Sequence, residues 1–256
     1  MKIAVVTPYY NESLDTIERC HRSVRAQTVT CQHWLIADGY SRPEIKSWSA
    51  TTVDLPHEHG DNGNTPRGIG AIMALNSGYD AIAFLDADNW YREDHIATVV
   101  DLIRKSGAAV IFSDRQIVLA TGAECALEDD DVVARTAVDT SCYTLTSRAA
   151  SLIPVWAMTP KLLSPLCDRV MFAAVSRSQL PTAWTLEKTV FYESRWPSHY
   201  KALGLPPPPD AHHTPWDAIE ENYSVGDLSD RLGYDPFSGR VPSYRTMCPR
   251  QVIPWK

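Results

Sequence analysis

The hydrophobic pattern of the first 113 residues alternates between short apolar runs and longer segments with helical spacing. The apolar runs predict β-strands at residues 3–7, 34–37, 51–53, 81–85 and 109–112. Between these runs, apolar residues recur three or four positions apart, which predicts helices over about 14–24, 66–77 and 93–106. Strands that alternate with helices in this way indicate a mostly parallel sheet with helices on both faces.

Residues suited to helix ends stand at the boundaries of these segments. We expect Thr65 to cap the second helix and Pro66 to open it, because proline fits the first helical turn. Gly78 and Gly107 stand just past the second and third helices, where glycine commonly ends a helix.

Beyond residue 113 the alternation weakens. The acidic run 128–131 is interpreted as a solvated loop. Residues 138–145 have a strand-like pattern, and residues 166–175 have a helical one. The four prolines at 206–209 predict a stiff spacer. Aromatic residues among prolines then predict a tail packed on the core, or else a partner-docking surface. They are Trp216, Tyr223, Tyr234, Phe237, Tyr244 and Trp255.

Composition is ordinary for a soluble globular protein, and the length permits an enzyme. The 256 residues are 44% hydrophobic and 21% charged, which is enough to build a large core. The net charge of −7 argues against a nucleic-acid partner, since phosphate neutralisation requires a basic surface. No apolar run is long enough for a signal peptide or a transmembrane segment, so we expect a cytoplasmic protein. The six cysteines are scattered and are expected to be reduced and structural.

Two carboxylates one residue apart follow the fourth predicted strand. If the chain turns there, Asp86 and Asp88 can reach one divalent cation. Mn²⁺ and Mg²⁺ prefer carboxylate oxygens and leave positions for phosphate oxygens, so the pair predicts a site for a nucleotide diphosphate. An isolated Asp-x-Asp is more often a solvated loop. Asn11 and Asp38 also follow predicted strands, however, and ligands of parallel sheets bind beyond the carboxyl ends of the strands.

These motifs resemble those of the family 2 glycosyltransferases, whose fold is GT-A. The family reads Pro-x-Tyr-Asn-Glu after the first strand, Asp-Asp-Gly-Ser after the second and Asp-x-Asp after a later one. This chain has Pro8-Tyr9-Tyr10-Asn11-Glu12, Ala37-Asp38-Gly39-Tyr40, Arg67-Gly68 with Asn76-Ser77-Gly78, and Asp86-Ala87-Asp88. The resemblance covers residues 1–113, is thinner over 136–200 and is not seen from 201 onward.

The resemblance implies a GT-A (Rossmann-like) α/β fold. The central sheet is expected to be mixed, mostly parallel and flanked by helices. Residues 1–205 would form one domain, with a nucleotide-sugar-binding half at 1–113 and an acceptor-side half at 114–205. Residues 206–256 would be a Pro- and aromatic-rich extension packed on the core.

For the donor, the resemblance implies a UDP-linked sugar. Pro8, Tyr9 and Asp38 would contact the base, and Asn11 and Glu12 belong to the same donor-binding motif. Arg67 would face the nucleotide or its phosphates, because a guanidinium suits phosphate oxygens. Asp88 would bind Mn²⁺ or Mg²⁺, with Asp86 sharing the ion or contacting the ribose. The ion would act as a Lewis acid on the departing diphosphate.

On the acceptor side, the resemblance implies that Asp168 is the general base. Cys167 stands before it where the family usually has glutamate, and His199 corresponds to a position from which some relatives supply a third metal ligand. For three residues, a purely structural role remains open. Asp38 could cap a turn, Arg67 could be a surface residue at a helix start, and Asp168 could be a helix N-cap.

The predicted function is a metal-dependent, inverting, hexosyltransferase-type reaction from a nucleotide-sugar to a hydroxyl acceptor. The acceptor could be a glycan, a lipid-linked group or a protein, with peripheral membrane association left open. A sugar nucleotidyltransferase is a second interpretation, although the loop after the first strand lacks the glycine and basic residues that hold a triphosphate. An inactive nucleotide-sugar-binding protein is a third, because Ala37 and Cys167 depart from the family motifs.

Overall fold

An eight-stranded sheet lies at the centre of the computed structural model of this chain. The structure describes residues 1–125 and 137–233, together with 127, 135 and 236. The strands are β1 (Ile3–Tyr9), β2 (Gln32–Ala37), β3 (Thr51–Asp54), β4 (Ala81–Phe84), β5 (Trp90–Tyr91), β6 (Val110–Leu119), β7 (Tyr143–Thr146) and β8 (Thr182–Ser194). Their order across the sheet is β3-β2-β1-β4-β7-β6-β8-β5.

Eight α-helices occur in the described residues. They are α1 (Leu14–Arg25), α2 (Asn64–Asn76), α3 (His95–Ser106), α4 (Pro154–Met158), α5 (Cys167–Ser178), α6 (Pro197–Ala202), α7 (Trp216–Asn222) and α8 (Val225–Leu232). Short 3₁₀ segments lie at Pro43–Ser47, Thr140–Cys142, Ser147–Leu152 and Lys161–Leu166. No described helix has both the length and the apolar character that crossing a membrane requires.

The sheet changes direction beside β4. The four strands β3, β2, β1 and β4 are parallel, whereas β7 is antiparallel to both β4 and β6. β8 runs parallel to β6 and carries the short β5 antiparallel at its edge. All seven residues of β1 are buried, as expected for a central strand with neighbours on both sides. The predicted fold class, a mixed and mostly parallel sheet flanked by helices, is therefore confirmed.

The strands and helices predicted within residues 1–113 are all present, and β1 is longer than predicted. It continues through Pro8 and Tyr9 because both pair with β2, whereas β4 pairs with β1 only as far as Val6. Beyond Val6 the strand has a partner on one side only, so the missing N–H of Pro8 is tolerated. The helix α2 packs close to the sheet, and a Cβ on Gly70 would lie 2.7 Å from Ile36 Cγ1.

Two boundary predictions were wrong, and one strand was not predicted. Thr65 does not cap α2, because the helix begins at Asn64 and Asp61 Oδ2 accepts hydrogen bonds from both Thr65 N and Thr65 Oγ1. Residues 138–142 are not strand, since Asp139 caps a 3₁₀ turn before β7 begins. The strand β8 was missed because Leu186 has φ of 60° and polar residues follow it, which breaks the alternation.

Residues 216–232 pack on the 3₁₀ segment Lys161–Leu166. Ile219, Leu228 and Leu232 are buried there against Leu163 and Leu166. The acidic run 128–131 and the aromatic residues Tyr234, Phe237, Tyr244 and Trp255 lie outside the described residues. The packing of the whole extension 206–256 therefore stays a prediction. The cysteines within the described residues are reduced.

Candidate functional site

A cleft of about 880 Å³ opens beyond the carboxyl ends of β1, β2 and β4. It gathers residues from both halves of the chain. The predicted site residues that line it are Pro8, Tyr9, Glu12, Asp38, Arg67, Asp86, Asp88, Asp168 and His199. Asn11 is not among the lining residues. It is exposed, and its carbonyl faces Arg42 Nη2 at 3.5 Å.

Asp86 follows β4 and is paired with a buried arginine. Arg67 Nη2 lies 2.5 Å from Asp86 Oδ1, and Arg67 Nη1 donates to Asn64 Oδ1 at 2.8 Å. The guanidinium also lies 5.1 Å from the ring of Trp156. Burial opposes the charge of Arg67, but Asp86 outweighs burial and raises the pKa of Arg67, so the pair is ionic.

Arg67 is therefore not a surface residue of the helix start. Its side chain is 2% exposed, and its guanidinium is directed to Asp86. A contact between Arg67 and donor phosphates stays a prediction. What the structure shows is that Arg67 fixes the orientation of the Asp86 carboxylate in the cleft.

Asp88 lies where several carboxylates converge. Burial raises its pKa to about 8, and the neighbouring charges of Asp86, Asp139, Glu12 and Glu193 act in the same direction. Such a site has an excess of negative charge that a cation would offset. Its donors are carboxylate oxygens, which suit Mn²⁺ or Mg²⁺.

His199 is not brought into a three-ligand set with Asp86 and Asp88. Among the described residues, no group of three or more His, Cys, Asp or Glu side chains is arranged to hold a metal ion. His199 lines the cleft from α6, with Nδ1 2.7 Å from Ser194 Oγ. A metal here would be held by Asp88 and Asp86, with its other positions left for donor oxygens.

Ser141 holds the turn that carries the two aspartates. Its Oγ accepts from Asp86 N at 3.1 Å and from Asn89 Nδ2 at 2.9 Å. Ser141 is fully buried in the 3₁₀ segment before β7. The position of the turn is thus set partly by a residue 52 to 55 positions away in sequence.

Arg19 of α1 holds the same turn from another direction. Its Nη2 donates to the Asp88 carbonyl at 2.7 Å and to Glu193 Oε2 at 2.8 Å. The guanidinium stacks 4.2 Å from the ring of Trp90. The sequence pattern gave no sign of this role, because Arg19 lies on an amphipathic helix where a charged residue is ordinarily solvated.

The wall of the cleft that is predicted to face the donor is formed by the ends of β1 and β2 and by the loop before α2. Asp38 is 3% exposed, and its carboxylate accepts from His59 Nδ1 at 2.6 Å and from His59 N at 3.1 Å. Asp38 therefore holds the 57–60 loop as well as facing the cleft. Gly63 has φ of 75°, and a Cβ there would lie 2.8 Å from Pro8 Cγ, so only glycine fits beside this wall.

Asp168 approaches the cleft from the second half of the chain. It is the second residue of α5, whose N-cap is Leu166, so the N-cap interpretation of Asp168 was wrong. Asp168 Oδ1 accepts from Arg169 N at 2.8 Å, and its carbonyl accepts from the Tyr143 hydroxyl at 2.9 Å. The first helical turn also favours the negative charge of Asp168.

Sequence reasoning missed Asp139 and Arg115, which also line the cleft. Asp139 Oδ1 accepts from Ser141 N at 2.9 Å, and Asp139 Oδ2 lies 3.4 Å from Arg115 Nη1. Burial raises the pKa of Asp139 to about 6, although Arg115 opposes the shift. Arg115 and Asp114 interrupt an otherwise apolar run, and that interruption is the signal that could have indicated them.

Comparisons with known proteins bear on this site. Residues 4–130 match the model for Glycosyl transferase family 2. No curated protein matches the chain. Several solved structures of S. aureus TarS have the same fold, at 11–13% sequence identity.

The TarS structures differ in how much they share with this chain. TarS 1–349 in complex with UDP-GlcNAc gives a TM-score of 0.62 at 13% identity, covering 96% of this chain and 78% of that one. TarS 1–349 in complex with UDP gives 0.59 at 12% identity, covering 79% of this chain and 63% of that one. The longer TarS structure gives a TM-score of 0.59 at 11% identity. The match covers 96% of this chain and 46% of that one. This chain thus spans about half to three quarters of the structures it matches.

Proposed function

Since the chain belongs to Glycosyl transferase family 2 through residues 4–130, we propose that it transfers a hexose-type sugar from a UDP-linked donor to a hydroxyl acceptor. The reaction is metal-dependent and inverts the configuration at the anomeric carbon. The observation that carries this proposal is the meeting of Asp86 and Asp88, after β4, with Asp168, from α5, in one cleft. A metal-binding pair and a separate carboxylate base are the groups that such a transfer needs.

A nucleotide-sugar donor is supported by the solved relatives. TarS structures hold UDP and UDP-GlcNAc, and this chain shares their fold. In this chain the base would lie against Pro8 and Tyr9, and Asp38 would accept from a ring N–H. The diphosphate would then extend toward Asp86 and Asp88 along the same cleft.

The chemistry follows from the placement of the carboxylates. When bound at Asp88 and Asp86, Mn²⁺ or Mg²⁺ supplies positive charge that stabilises the departing diphosphate. The acceptor oxygen bonds to the anomeric carbon as the bond from that carbon to the diphosphate breaks, and the electron pair leaves with the diphosphate. Asp168 accepts the proton of the acceptor hydroxyl. Attack from the face opposite the leaving group inverts the configuration.

The first test is the binding of UDP with and without Mn²⁺, measured by titration calorimetry. Asp88→Asn should remove the gain in UDP affinity that Mn²⁺ provides and lower sugar transfer by about 100-fold. Asp101→Asn is the matched control, because Asp101 lies exposed on α3 and pairs with Lys105. The control should bind UDP as the wild type does, and both variants should keep the wild-type circular dichroism spectrum.

Three outcomes would contradict the proposal. Failure of UDP to bind in either condition would remove the donor assignment. Release of pyrophosphate from a nucleoside triphosphate and a sugar phosphate would instead indicate a nucleotidyltransferase. Tight UDP-sugar binding without turnover by any acceptor or by water would indicate an inactive binding protein.

A further inference from the structure

A series of four charged side chains lies next to the cleft without lining it. The four alternate in sign, in the order Arg19, Glu193, Arg195 and Asp210. The side chain of Glu193 is 10% exposed and that of Asp210 is 60% exposed, so the series extends from the interior to the surface. None of the four lines the cleft. They therefore reach a ligand in the cleft only through other residues.

The inner end of this charged series holds the turn that carries Asp88. Arg19 Nη2 donates to the Asp88 carbonyl at 2.7 Å and to Glu193 Oε2 at 2.8 Å. The backbone N–H of Glu193 donates to Asn89 Oδ1 at 3.0 Å. The turn is thus joined to Glu193 by two routes, one through the Glu193 side chain and one through its backbone.

The outer end of the charged series holds a segment that lines the cleft. Arg195 Nη2 donates to Glu193 Oε1 at 2.9 Å, and Arg195 Nη1 is paired with Asp210 Oδ2. The Arg195 carbonyl accepts from His212 N at 3.0 Å. Residues 212–214 follow and lie along the cleft. Arg195 therefore holds this segment with both its side chain and its backbone.

Glu193 joins the two ends because its two carboxylate oxygens have different partners. Oε2 accepts from Arg19, and Oε1 accepts from Arg195. Hydrogen bonds between ionised groups are shorter and stronger than those between neutral groups. Because Glu193 is buried and its backbone is bonded to Asn89, its side chain has little room to adjust by itself. A shift of one arginine is therefore transmitted to the other.

Stability alone gives little reason for the charged series. Ion pairs with exposed partners contribute little to the free energy of unfolding. Burying the Glu193 carboxylate costs desolvation free energy, and an apolar side chain in such a place is often neutral or stabilising. Contiguous networks of hydrogen bonds and ion pairs can, however, carry coupling between two sites. This network has the Asp88 turn at one end and the segment 212–214 at the other.

From these contacts we propose that Glu193 is a positioning residue, which couples the segment 212–214 to the turn that carries Asp88. The inference rests on the proposed transfer function, in which Asp88 binds the metal, and adds to it a link between two parts of the cleft. While Arg195 holds the segment, the Asp88 turn keeps the geometry that binds metal and diphosphate. When Arg195 or Asp210 loses its partner, the turn relaxes although no ligand contact has been removed.

Two variants with opposite changes in charge test the coupling. Arg195→Met removes a positive charge, and Asp210→Asn removes a negative one. If charge alone acted on the cation, the first would strengthen Mn²⁺-dependent UDP binding and the second would weaken it. Coupling predicts that both weaken it in titration calorimetry, Arg195→Met by about tenfold and Asp210→Asn by about fivefold. UDP affinity without Mn²⁺ should stay within about twofold of wild type in both variants.

A matched control and a double-mutant cycle test the route. Asp101→Asn is the control, because Asp101 is 61% exposed, close to the 60% of Asp210, and is likewise paired with a basic side chain. It should leave UDP affinity unchanged in both metal conditions. Glu193→Gln leaves one acceptor oxygen, so the side chain cannot hold both arginines as the carboxylate does. In that background Asp210→Asn should have no further effect, because the connection to Asp88 is already broken.

The two proposals fail in different ways. Stronger Mn²⁺-dependent binding by Arg195→Met, wild-type binding by Asp210→Asn, or full additivity in the cycle would overturn the coupling alone. Equal weakening with and without Mn²⁺ would place Arg195 in direct contact with UDP and also overturn it. If Arg195→Met loses the wild-type circular dichroism spectrum, Asp210→Asn and the cycle decide, since the Asp210 side chain is largely exposed. Failure of the wild-type protein to bind UDP would overturn both proposals.

Discussion

His95 is buried at the start of α3, between the rings and hydroxyls of its neighbours. Its ring stacks on Tyr91 at 3.7 Å, and Nδ1 lies 2.7 Å from Thr189 Oγ1. Burial lowers the pKa of His95 from 6.5 to about 3, although Asp94 opposes the shift. His33 is buried between Thr7 and His21, and its pKa is also lowered by burial. Both histidines are therefore neutral in the folded protein at pH 7.

Because these histidines are buried in the neutral form, we predict that the protein loses stability in mild acid. Below about pH 6.5 the unfolded chain binds protons that folded His95 does not bind until about pH 3. Between about pH 6.5 and pH 3 the free energy of unfolding should decrease as the pH is lowered. The decrease should be up to about 1.4 kcal/mol per pH unit for each such histidine. Urea titrations at pH 7.5, 6.0 and 5.0 measure the free energy of unfolding and its slope with pH. His95→Gln should reduce the slope, while His57→Gln, in an exposed loop, should not. An equal slope in all three proteins would contradict the explanation.

Individual site residues differed in how far the sequence could indicate them. Asp38 and Asp86 stand at the ends of apolar runs, so pattern alone placed them at one edge of the sheet. Asp139 was not indicated, because the residues around it resemble a strand. Its place in the cleft follows from the pairing of β7 with β4, a contact between distant parts of the chain.

The Asp86–Asn89 turn depends on elements far away in sequence. Ser141 accepts a part-buried hydrogen bond from Asp86 N and a buried one from Asn89 Nδ2. Loss of the Ser141 hydroxyl would leave both donors without their partner. Because such a change moves the carboxylates proposed to bind the metal, and not the wall proposed to hold the nucleotide base, it should act on metal-dependent binding first.

We therefore predict that Ser141→Ala weakens UDP binding in the presence of Mn²⁺ by about tenfold. UDP affinity without metal should change little. Ser77→Ala is the matched control, since Ser77 is exposed at the end of α2 and its Oγ donates to the Met73 carbonyl. Calorimetry in both metal conditions gives the comparison. Equal weakening with and without Mn²⁺ would show a general loss of structure instead of a displaced turn.

Elements with strong local patterns were predictable, and elements defined by partners were not. The helix α3 has apolar residues at helical spacing and a glycine at its end, and it formed over nearly the predicted range. The strands β5 and β8 were missed because β5 has two residues and β8 contains three exposed polar or strained positions. β5 takes its strand conformation from pairing with β8, and β8 pairs with both β5 and β6. No local stretch of sequence contains these partners.

At the scale of the whole molecule, one sheet joins both halves of the chain. β4 pairs with β7, and β6 extends across residue 113, where the sequence placed the boundary between halves. The cleft is lined from both sides of that boundary. Binding of a donor should therefore stabilise the whole domain rather than one half.

Thermal unfolding checks this directly. With UDP and Mn²⁺ at about 100 times the dissociation constant, ligand binding adds about 2.7 kcal/mol of stability and should raise Tm by roughly 5–10 °C. The transition should stay single by both near- and far-UV circular dichroism. Asp88→Asn should lose most of the shift, whereas Asp101→Asn should keep it. A separate first transition whose midpoint does not change with ligand would show that the halves unfold separately.

The reversal of β7 beside β4 has one further consequence. Because the two strands are antiparallel, the cleft receives the end of β4 and the start of β7. Residues ahead of β7 can therefore change without altering the chain that carries Asp86 and Asp88. Grafting the segment before β7 from a related protein should then change acceptor preference, provided that Ser141 and its hydrogen bonds to the Asp86–Asn89 turn are kept. The same scaffold would keep one donor while its product changed.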